Sequence, residues 1–361
     1  MARPSHMVVD LAALISNYQW ACQLAPQAKT MAVVKANAYG HGAVACAQAL
    51  EPYAPAFGVA CIEEAITLRE GGINKPILLL EGTFTADEVA IAAQQNFWLM
   101  VEDPLQVDAI LTATVIKPLT VWVKVDSGMH RLGLNPNRVN NYYQQLLASP
   151  NVCNDMVFAT HFASADETNN NFTLAQVKQF KATADHFEHP TSLANSAAIM
   201  AWPEAHAHWN RAGFMLYGNS PLDAQHPSSK GLQPVMQVRS AIISLRQIET
   251  GASVGYAQQW RAARPSIIAT VAIGYGDGYP RSAATGTPVV VNGQRASIVG
   301  RVSMDMITID VTDLEGIHVG DQVCLWGKGL SINEVAQHAG TIGYELMTRV
   351  TQRLPIFYKQ D

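Results

Sequence analysis

A lysine near the start of the chain gives the strongest indication of chemistry. Lys35 follows the apolar run "MAVV" directly and precedes "ANAYGHG", a segment rich in small residues. Desolvation favours the neutral amine of a lysine, and this is the form that condenses with a carbonyl cofactor to give a Schiff base. A lysine whose stem packs on apolar surface while its amine reaches water is the alternative interpretation. The pattern predicts a reactive amine at position 35.

Other polar residues also end or follow apolar runs between residues 124 and 211. They are Lys124, Asp126, His161, Asn195, Ser196 and Arg211. In a parallel α/β barrel the carboxyl ends of the strands meet at one face, and the active site lies in the loops that follow them. We therefore expect these side chains to converge with Lys35.

The elements that would position them alternate between short apolar runs and longer segments with helical spacing, from Thr30 to about Tyr217. This alternation is typical of repeated βα units and a parallel sheet. The predicted strands are Met31–Lys35, Ala56–Ala60, Ile77–Leu80, Phe97–Val101, Leu119–Val125, Val157–His161, Thr191–Ala194 and Trp209–Arg211. The segments of helical spacing include Ile62–Gly71, Ala86–Gln95, Pro104–Ala113, Arg138–Ala148 and Thr173–Phe187. Eight such units predict an α/β fold, a (β/α)8 TIM-type barrel.

After about Gly231 the pattern changes to strands joined by tight turns. The predicted strands here are 235–248, 266–273, 288–291, 295–299 and 306–311, and Asn292-Gly293 between two of them is a strong type I′ hairpin signal. We predict a barrel domain over residues 1–231 and a mostly β C-terminal domain over 232–361.

The bulk properties exclude several classes of protein. The chain of 361 residues has a formal net charge of −5 and no basic run suited to nucleic acid. It has no apolar stretch of the ~20 residues that a membrane span needs, and no secretory signal, so we expect a cytoplasmic protein. Its five cysteines are scattered without metal-ligand spacing, which favours reduced thiols and no metal site.

The segment "AVVKANAYGHG" resembles the cofactor-lysine signature of the alanine racemases. These are pyridoxal 5'-phosphate enzymes built from an eight-stranded α/β barrel and a β-rich C-terminal domain. The resemblance continues in the family's order through "VKVDSGMHRLG", "LANSAA", "RAGFMLYG", "SVGY", "AIGYGDGYPR", "VGRVSMDM" and "GTIGYELM", and so covers essentially the whole chain.

The resemblance implies a set of cofactor-binding residues. Lys35 would bind pyridoxal phosphate covalently, Arg211 would face its pyridine nitrogen, and His161 would hydrogen-bond to Arg211. The residues implied around the phosphate are Tyr39, Tyr344, Ser196 and the backbone of Gly213 and Phe214, with Asn195 in the same cofactor-binding set. Taken alone, Tyr39 is also typical of a packing residue, Ser196 of a helix N-cap and His161 of a core residue.

The resemblance also implies a two-base mechanism with Lys35 and Tyr256, in which Tyr256 comes from the partner subunit of a homodimer. A free phenol is a weak base at neutral pH, so Tyr256 would need positive charge nearby. Arg131 and the backbone of Met304 would hold the substrate carboxylate, and Tyr275 would line the entry passage, with a buried strand tyrosine as the alternative. Lys124 resembles a lysine that some members carry as a carbamate.

The implied reaction is interconversion of L- and D-alanine, which supplies D-alanine for the bacterial cell wall. Three departures from the family pattern, at His130, Ala212 and Ser303, remove no catalytic group. One alternative is an amino-acid decarboxylase on the same fold, but such enzymes place an acid opposite the ring nitrogen where this chain has Arg211. The other is a non-catalytic pyridoxal-phosphate-binding protein, which would lack the second domain.

Overall fold

A computed structural model describes residues 3–360; residues 1, 2 and 361, which the predicted domain ranges and the search for a signal sequence include, lie outside the described residues. The chain divides into two compact units. One is Leu14–Leu232, and the other joins residues up to Ala13 to those from Gln233 onward. The division after Leu232 lies next to the predicted boundary at 231, but the N-terminal residues belong to the second unit rather than to the barrel.

The strands are short in the first unit and longer in the second. In chain order they are β1 (His6–Asp10), β2 (Lys29–Val33), β3 (Phe57–Val59), β4 (Ile77–Leu79), β5 (Phe97–Val101), β6 (Val121–Lys124), β7 (Val157–Ala159), β8 (Thr191–Ser192), β9 (Trp209–Ala212), β10 (Met236–Ile248), β11 (Ser253–Val254), β12 (Trp260–Arg261), β13 (Ser266–Val271), β14 (Pro288–Val291), β15 (Gln294–Ile298), β16 (Ile307–Asp310), β17 (Gln322–Trp326) and β18 (Ile356–Lys359).

Most helices lie between the strands of the first unit. They are α1 (Leu11–Leu24), α2 (Lys35–Tyr39), α3 (Ala43–Leu50), α4 (Ile62–Glu70), α5 (Glu88–Gln95), α6 (Pro104–Thr112), α7 (Val139–Ala148), α8 (Phe172–Ala184), α9 (Ser196–Ala201), α10 (Ile332–His338) and α11 (Gly343–Thr348). Short 3₁₀ turns span Asp185–Phe187, Pro203–Ala205, Phe214–Tyr217, Pro227–Gly231, Tyr256–Gln258 and Tyr275–Asp277.

Strands β2 to β9 pair in chain order and close into a parallel barrel, which confirms the predicted eight-stranded fold. Trp98, Trp122 and Trp209 fill its interior, with ring centroids 5.7 to 6.0 Å apart. Met31 and Leu78 pack in the same core. Because the interior is solid, chemistry is confined to the barrel mouth, where the carboxyl ends of the strands lead into the loops.

The second unit is built on an eight-stranded sheet of order β13-β16-β15-β14-β17-β10-β1-β18, which confirms a mostly β domain. The predicted hairpin is present: Val291 pairs with Gln294, and the turn residues Asn292 and Gly293 have φ of 48° and 81°. Strand β1 lies between β10 and β18 and pairs with both through Met7. This pairing is the physical reason why the N-terminus joins the β unit, contrary to the predicted range 1–231 for the barrel domain.

Candidate active site

The segment after Lys35 has an unusual backbone. Ala36, Asn37, Ala38 and Tyr39 all have φ between 52 and 55°, so α2 is a turn of left-handed helix. The left-handed conformation costs about 1–2 kcal/mol for each L-residue other than glycine. Strain of this kind persists only where the surroundings impose it, and it is concentrated at functional sites.

Two side chains hold this left-handed turn in place. The Glu64 carboxylate accepts hydrogen bonds from the amides of Ala36 at 2.7 Å and Ala60 at 2.8 Å, and so ties the turn to the end of β3. The Asn37 side chain accepts from the Ala43 amide at 2.8 Å. These bonds fix the direction in which the chain leaves β2 at Lys35.

Tyr39, Ser196 and Gly213 lie close together beyond the turn. A Cβ placed on Gly213 would lie 2.7 Å from the Tyr39 hydroxyl oxygen, so a side chain there would displace the tyrosine. The Gly213 amide donates to Ser196 Oγ at 2.9 Å. Burial raises the pKa of Tyr39 to about 12, and its hydroxyl therefore stays protonated at neutral pH. The hydroxyl groups of Tyr39 and Ser196, at one end of the barrel, are donors that suit an anion such as a phosphate.

The neighbouring residues have structural partners of their own. Asn195 caps α9, since its side chain accepts from the Ala198 amide at 3.1 Å. The N-cap of α9 is therefore Asn195, whereas the Ser196 hydroxyl accepts a hydrogen bond from the Gly213 amide. Phe214 is buried at the start of a 3₁₀ turn. The local sequence folds this way because asparagine, like serine, is a favoured N-cap residue.

Arg211 lies on β9 with its guanidinium inside the barrel wall. It donates to Ser192 Oγ and Thr160 O, both at 2.6 Å, and to the carbonyls of Ser192 and Leu193 at 3.0 and 3.2 Å. Burial lowers its pKa to about 10, so it remains a cation at neutral pH. The predicted hydrogen bond between His161 and Arg211 is absent among residues 3–360, where Nη1 and Nη2 of Arg211 donate to these oxygens.

His161 nevertheless lies within the field of the cations at the mouth. Burial, followed by the charges of Arg211 and Lys124, holds the pKa of His161 well below its ordinary value. The imidazole is therefore neutral near pH 7. The positive charge at this end of the site therefore comes from the Arg211 guanidinium, and the His161 ring adds none near neutral pH.

Carboxylates that the sequence reasoning missed lie beside both lysines of the mouth. Glu81 Oε1 is 3.9 Å from Lys35 Nζ, and Glu102 Oε2 is 2.5 Å from Lys124 Nζ. Both acids directly follow apolar runs, "ILLL" and "FWLMV", so the rule that selected Lys124 would also have found them. Arg131 is exposed on the loop after β6.

The second unit carries the other predicted residues on loops that pack against one another. Tyr256 follows Gly255, whose added Cβ would lie 3.5 Å from the Arg301 amide. The Tyr275 amide donates to Ser303 O at 3.0 Å, and Met304 O accepts from the Gly276 amide. Tyr256 is 70% exposed, Met304 53% and Tyr275 36%. Tyr275 is thus a surface residue, and the alternative of a buried strand tyrosine is wrong.

Tyr344 lies in α11 of the same unit and is half-buried.

Within residues 3–360, no group of three or more His, Cys, Asp or Glu side chains is placed to hold a metal ion. All five cysteines are free thiols. In that same part of the chain we found no helix both long enough and apolar enough to span a membrane.

Both units match known protein families. Residues 9–221 match the family model "Alanine racemase, N-terminal domain", and residues 235–358 match "Alanine racemase, C-terminal domain". The chain belongs to the alanine racemase family. An alanine racemase of Chromohalobacter salexigens is 49% identical to it over 99% of each chain.

Solved alanine racemases have the same fold. The biosynthetic alanine racemase of Pseudomonas aeruginosa superposes with a TM-score of 0.96 at 47% identity, over 99% of this chain and 100% of that one. The alanine racemase of Bartonella henselae, described with covalently bound pyridoxal phosphate, gives a TM-score of 0.90 at 30% identity over 99% of both chains.

Proposed function

We propose that this chain is a pyridoxal-phosphate-dependent racemase that interconverts L- and D-alanine by a two-base mechanism. The observation that carries the proposal is the barrel mouth. Lys35 precedes the strained turn there, the Tyr39 hydroxyl lies close to Gly213, and Arg211 is a buried cation. An amine, an anion cradle and a fixed cation are the groups that an aldehyde-bearing phosphate ester with a pyridine ring requires.

The residues at the mouth fit this cofactor. Lys35 would hold it covalently, and the Tyr39 hydroxyl, which lies close to Gly213, would contact its phosphate. We assign the phosphate to Tyr39, Ser196, the backbone of Gly213 and Phe214, and Tyr344, with Asn195 setting the start of α9 beside them. Arg211 would face the ring nitrogen. A guanidinium has no acceptor site, so it leaves that nitrogen unprotonated, while neutral His161 adds no further charge.

The chain's own groups move and hold the protons. When bound, the cofactor draws away the electron pair left at Cα by loss of its proton. Lys35 Nζ would exchange the Cα proton on the D-side, and the Tyr256 phenol would exchange it on the L-side. Arg131 and the Met304 backbone would hold the substrate carboxylate, and Tyr275 would narrow the entry. Bases on opposite faces allow inversion without a swinging group.

A homodimer is part of the proposal. Tyr256, Tyr275 and Met304 lie on neighbouring loops of the β unit and are exposed. Exposed apolar side chains grouped in this way mark an interaction surface. We infer that a second copy of the chain covers this surface and receives Tyr256 into its own barrel mouth. The cytoplasmic supply of D-alanine for the cell wall is the role that we propose for the product.

The experiment that tests the proposal combines an assay with chemical trapping. Purified protein is assayed for racemisation of a panel of amino acids, and the cofactor is then reduced onto the protein with borohydride and located by peptide mapping. We expect alanine racemisation and a label on Lys35. Lys35→Ala should lose both the activity and the covalent label. A label on another lysine would overturn the assignment, and decarboxylation of the substrate would favour the alternative enzyme.

A further inference from the structure

A buried ion pair at the barrel mouth has no part in the reaction proposed above. Val101 of β5 pairs with Val123 of β6, so the next residues, Glu102 and Lys124, lie side by side at the strand ends. Lys124 Nζ is 2.5 Å from Glu102 Oε2, and the two side chains are 10% and 2% exposed. An ion pair between two nearly buried side chains is a structural feature of the mouth.

The pair is also joined to the loop that carries Arg131. The Gly133 amide donates to the carbonyl of Glu102 at 3.1 Å, and the Leu134 amide donates to the carbonyl of Lys124 at 2.8 Å. The loop therefore returns onto the backbone of the two residues whose side chains form the ion pair. These two bonds attach the loop to both strand ends two and three residues after Arg131.

Burial moves both partners toward their neutral forms, so the pKa of Lys124 is lowered on balance and that of Glu102 is raised, and each charge opposes the shift of the other. Burial lowers the pKa of Lys124, whereas the Glu102 carboxylate raises it. Burial raises the pKa of Glu102, and Lys124 lowers it. Removal of one charge from a buried pair leaves the other without compensation. Without Glu102, burial and the cations Arg211 and Arg131 would all favour the neutral Lys124 amine.

A neutral buried lysine amine reacts with carbon dioxide. The nitrogen lone pair forms a bond to the carbon, the amine loses a proton to water, and a carbamate anion results. In the ion pair with Glu102, the Lys124 nitrogen is protonated, so its lone pair is not available for this reaction. A carboxylate 2.5 Å from Nζ also occupies the place of the added group and repels its negative charge.

We propose that Glu102 is a positioning residue that keeps Lys124 an unmodified ammonium ion and, through the strand ends, holds the loop of Arg131. Lys124 therefore does not form a carbamate in this protein, unlike the lysine that it resembles. The charge that faces Arg131 comes from the carboxylate of Glu102.

The test follows the carbamate directly. The holoenzyme is equilibrated with ¹³C-labelled bicarbonate, and ¹³C NMR is used to detect a protein-bound carbamate carbon. We expect none in the wild type, one for each subunit in Glu102→Gln, and none in Glu102→Gln/Lys124→Met. Glu81→Gln is the matched control, because it removes a carboxylate of the same mouth that does not contact Lys124, and it should show none. A Lys124 carbamate in the wild type overturns the proposal, as does its absence from folded Glu102→Gln.

A second measurement concerns position, and it alone depends on the proposed racemase activity. A misplacement of about 1 Å at a substrate-binding group can cost about 100-fold. We expect Glu102→Gln to raise KM for alanine by about tenfold with a smaller change in kcat, because Arg131 binds the carboxylate. An unchanged KM overturns the positioning role. If Glu102→Gln does not fold, the wild-type carbamate spectrum still decides the state of Lys124.

Discussion

Glu64→Gln tests whether the left-handed turn after Lys35 is formed before the cofactor binds. The Glu64 carboxylate accepts from two amides, at 2.7 Å from Ala36 and 2.8 Å from Ala60. Glutamine keeps one acceptor oxygen, replaces the other with an amide group that cannot accept, and removes the charge from the bond that remains. The variant therefore weakens the contact that holds Ala36 in the left-handed region.

The magnitude follows from the lost hydrogen bond. A hydrogen bond to a charged group contributes about 1.5–3 kcal/mol. Glu64 is half-buried, and water replaces part of the interaction, so we take the lower value of ~1.5 kcal/mol. If the turn relaxes in the cofactor-free variant, binding of pyridoxal phosphate must supply this ~1.5 kcal/mol to form the turn again. The Kd for pyridoxal phosphate is then about tenfold higher.

The assay is an equilibrium titration of the cofactor-free protein with pyridoxal phosphate, followed by absorbance. Glu63→Gln is the matched control, since Glu63 is the exposed neighbour on the same helix. We expect a tenfold higher Kd for Glu64→Gln and no change for Glu63→Gln. Equal affinity of Glu64→Gln and the wild type would refute the claim that Glu64 imposes the turn.

Three further substitutions probe the rest of the site. Gly213→Ala places a Cβ 2.7 Å from the Tyr39 hydroxyl, and overpacking of about 1–3 kcal/mol should weaken cofactor binding by about tenfold or more in the same titration; unchanged binding would count against the cradle. Tyr256→Phe should lose racemisation and keep the cofactor, with deuterium washout surviving better from D-alanine than from L-alanine. Mixing it with Lys35→Ala should restore activity, and failure despite heterodimer formation would place both bases in one chain. Arg211→Glu should slow racemisation and produce a new absorbance band on addition of alanine, because a carboxyl group stabilises a protonated ring nitrogen; an unchanged rate and spectrum would contradict the position of Arg211.

The barrel could be predicted from the sequence because its strands are buried on both faces and are therefore continuous apolar runs. Phe97–Val101 has the predicted bounds, and the other barrel strands differ from their predicted bounds by only a few residues at either end. The first strand was missed for a different reason. Its partners Val238 and Ile356 are distant in the chain, and five residues of mixed polarity carry no local sign of them.

The site was predicted less completely than the fold. Lys35 and Arg211 could be found because a charge at the end of an apolar run is costly to desolvate, and such residues are concentrated at functional sites. The left-handed turn could not, because alanine has no preference for that region and the conformation is imposed by Glu64, which is distant in sequence. Glu102 precedes Asp103, the N-cap of α6, and an acidic pair at that place is typical of a helix start.

The position of β1 has a consequence for the synthesis of the protein. The barrel unit is one continuous stretch, Leu14–Leu232, and all its strands are translated before the part of the second unit that starts at Gln233. The β sheet, in contrast, needs both ends of the chain, since the hydroxyl groups of Ser5 and Ser240 meet across 235 residues. We therefore expect the barrel to fold during translation while β1 waits unpaired at the N-terminus. The sheet is completed only when β18, which is translated after all the other described strands, pairs with β1.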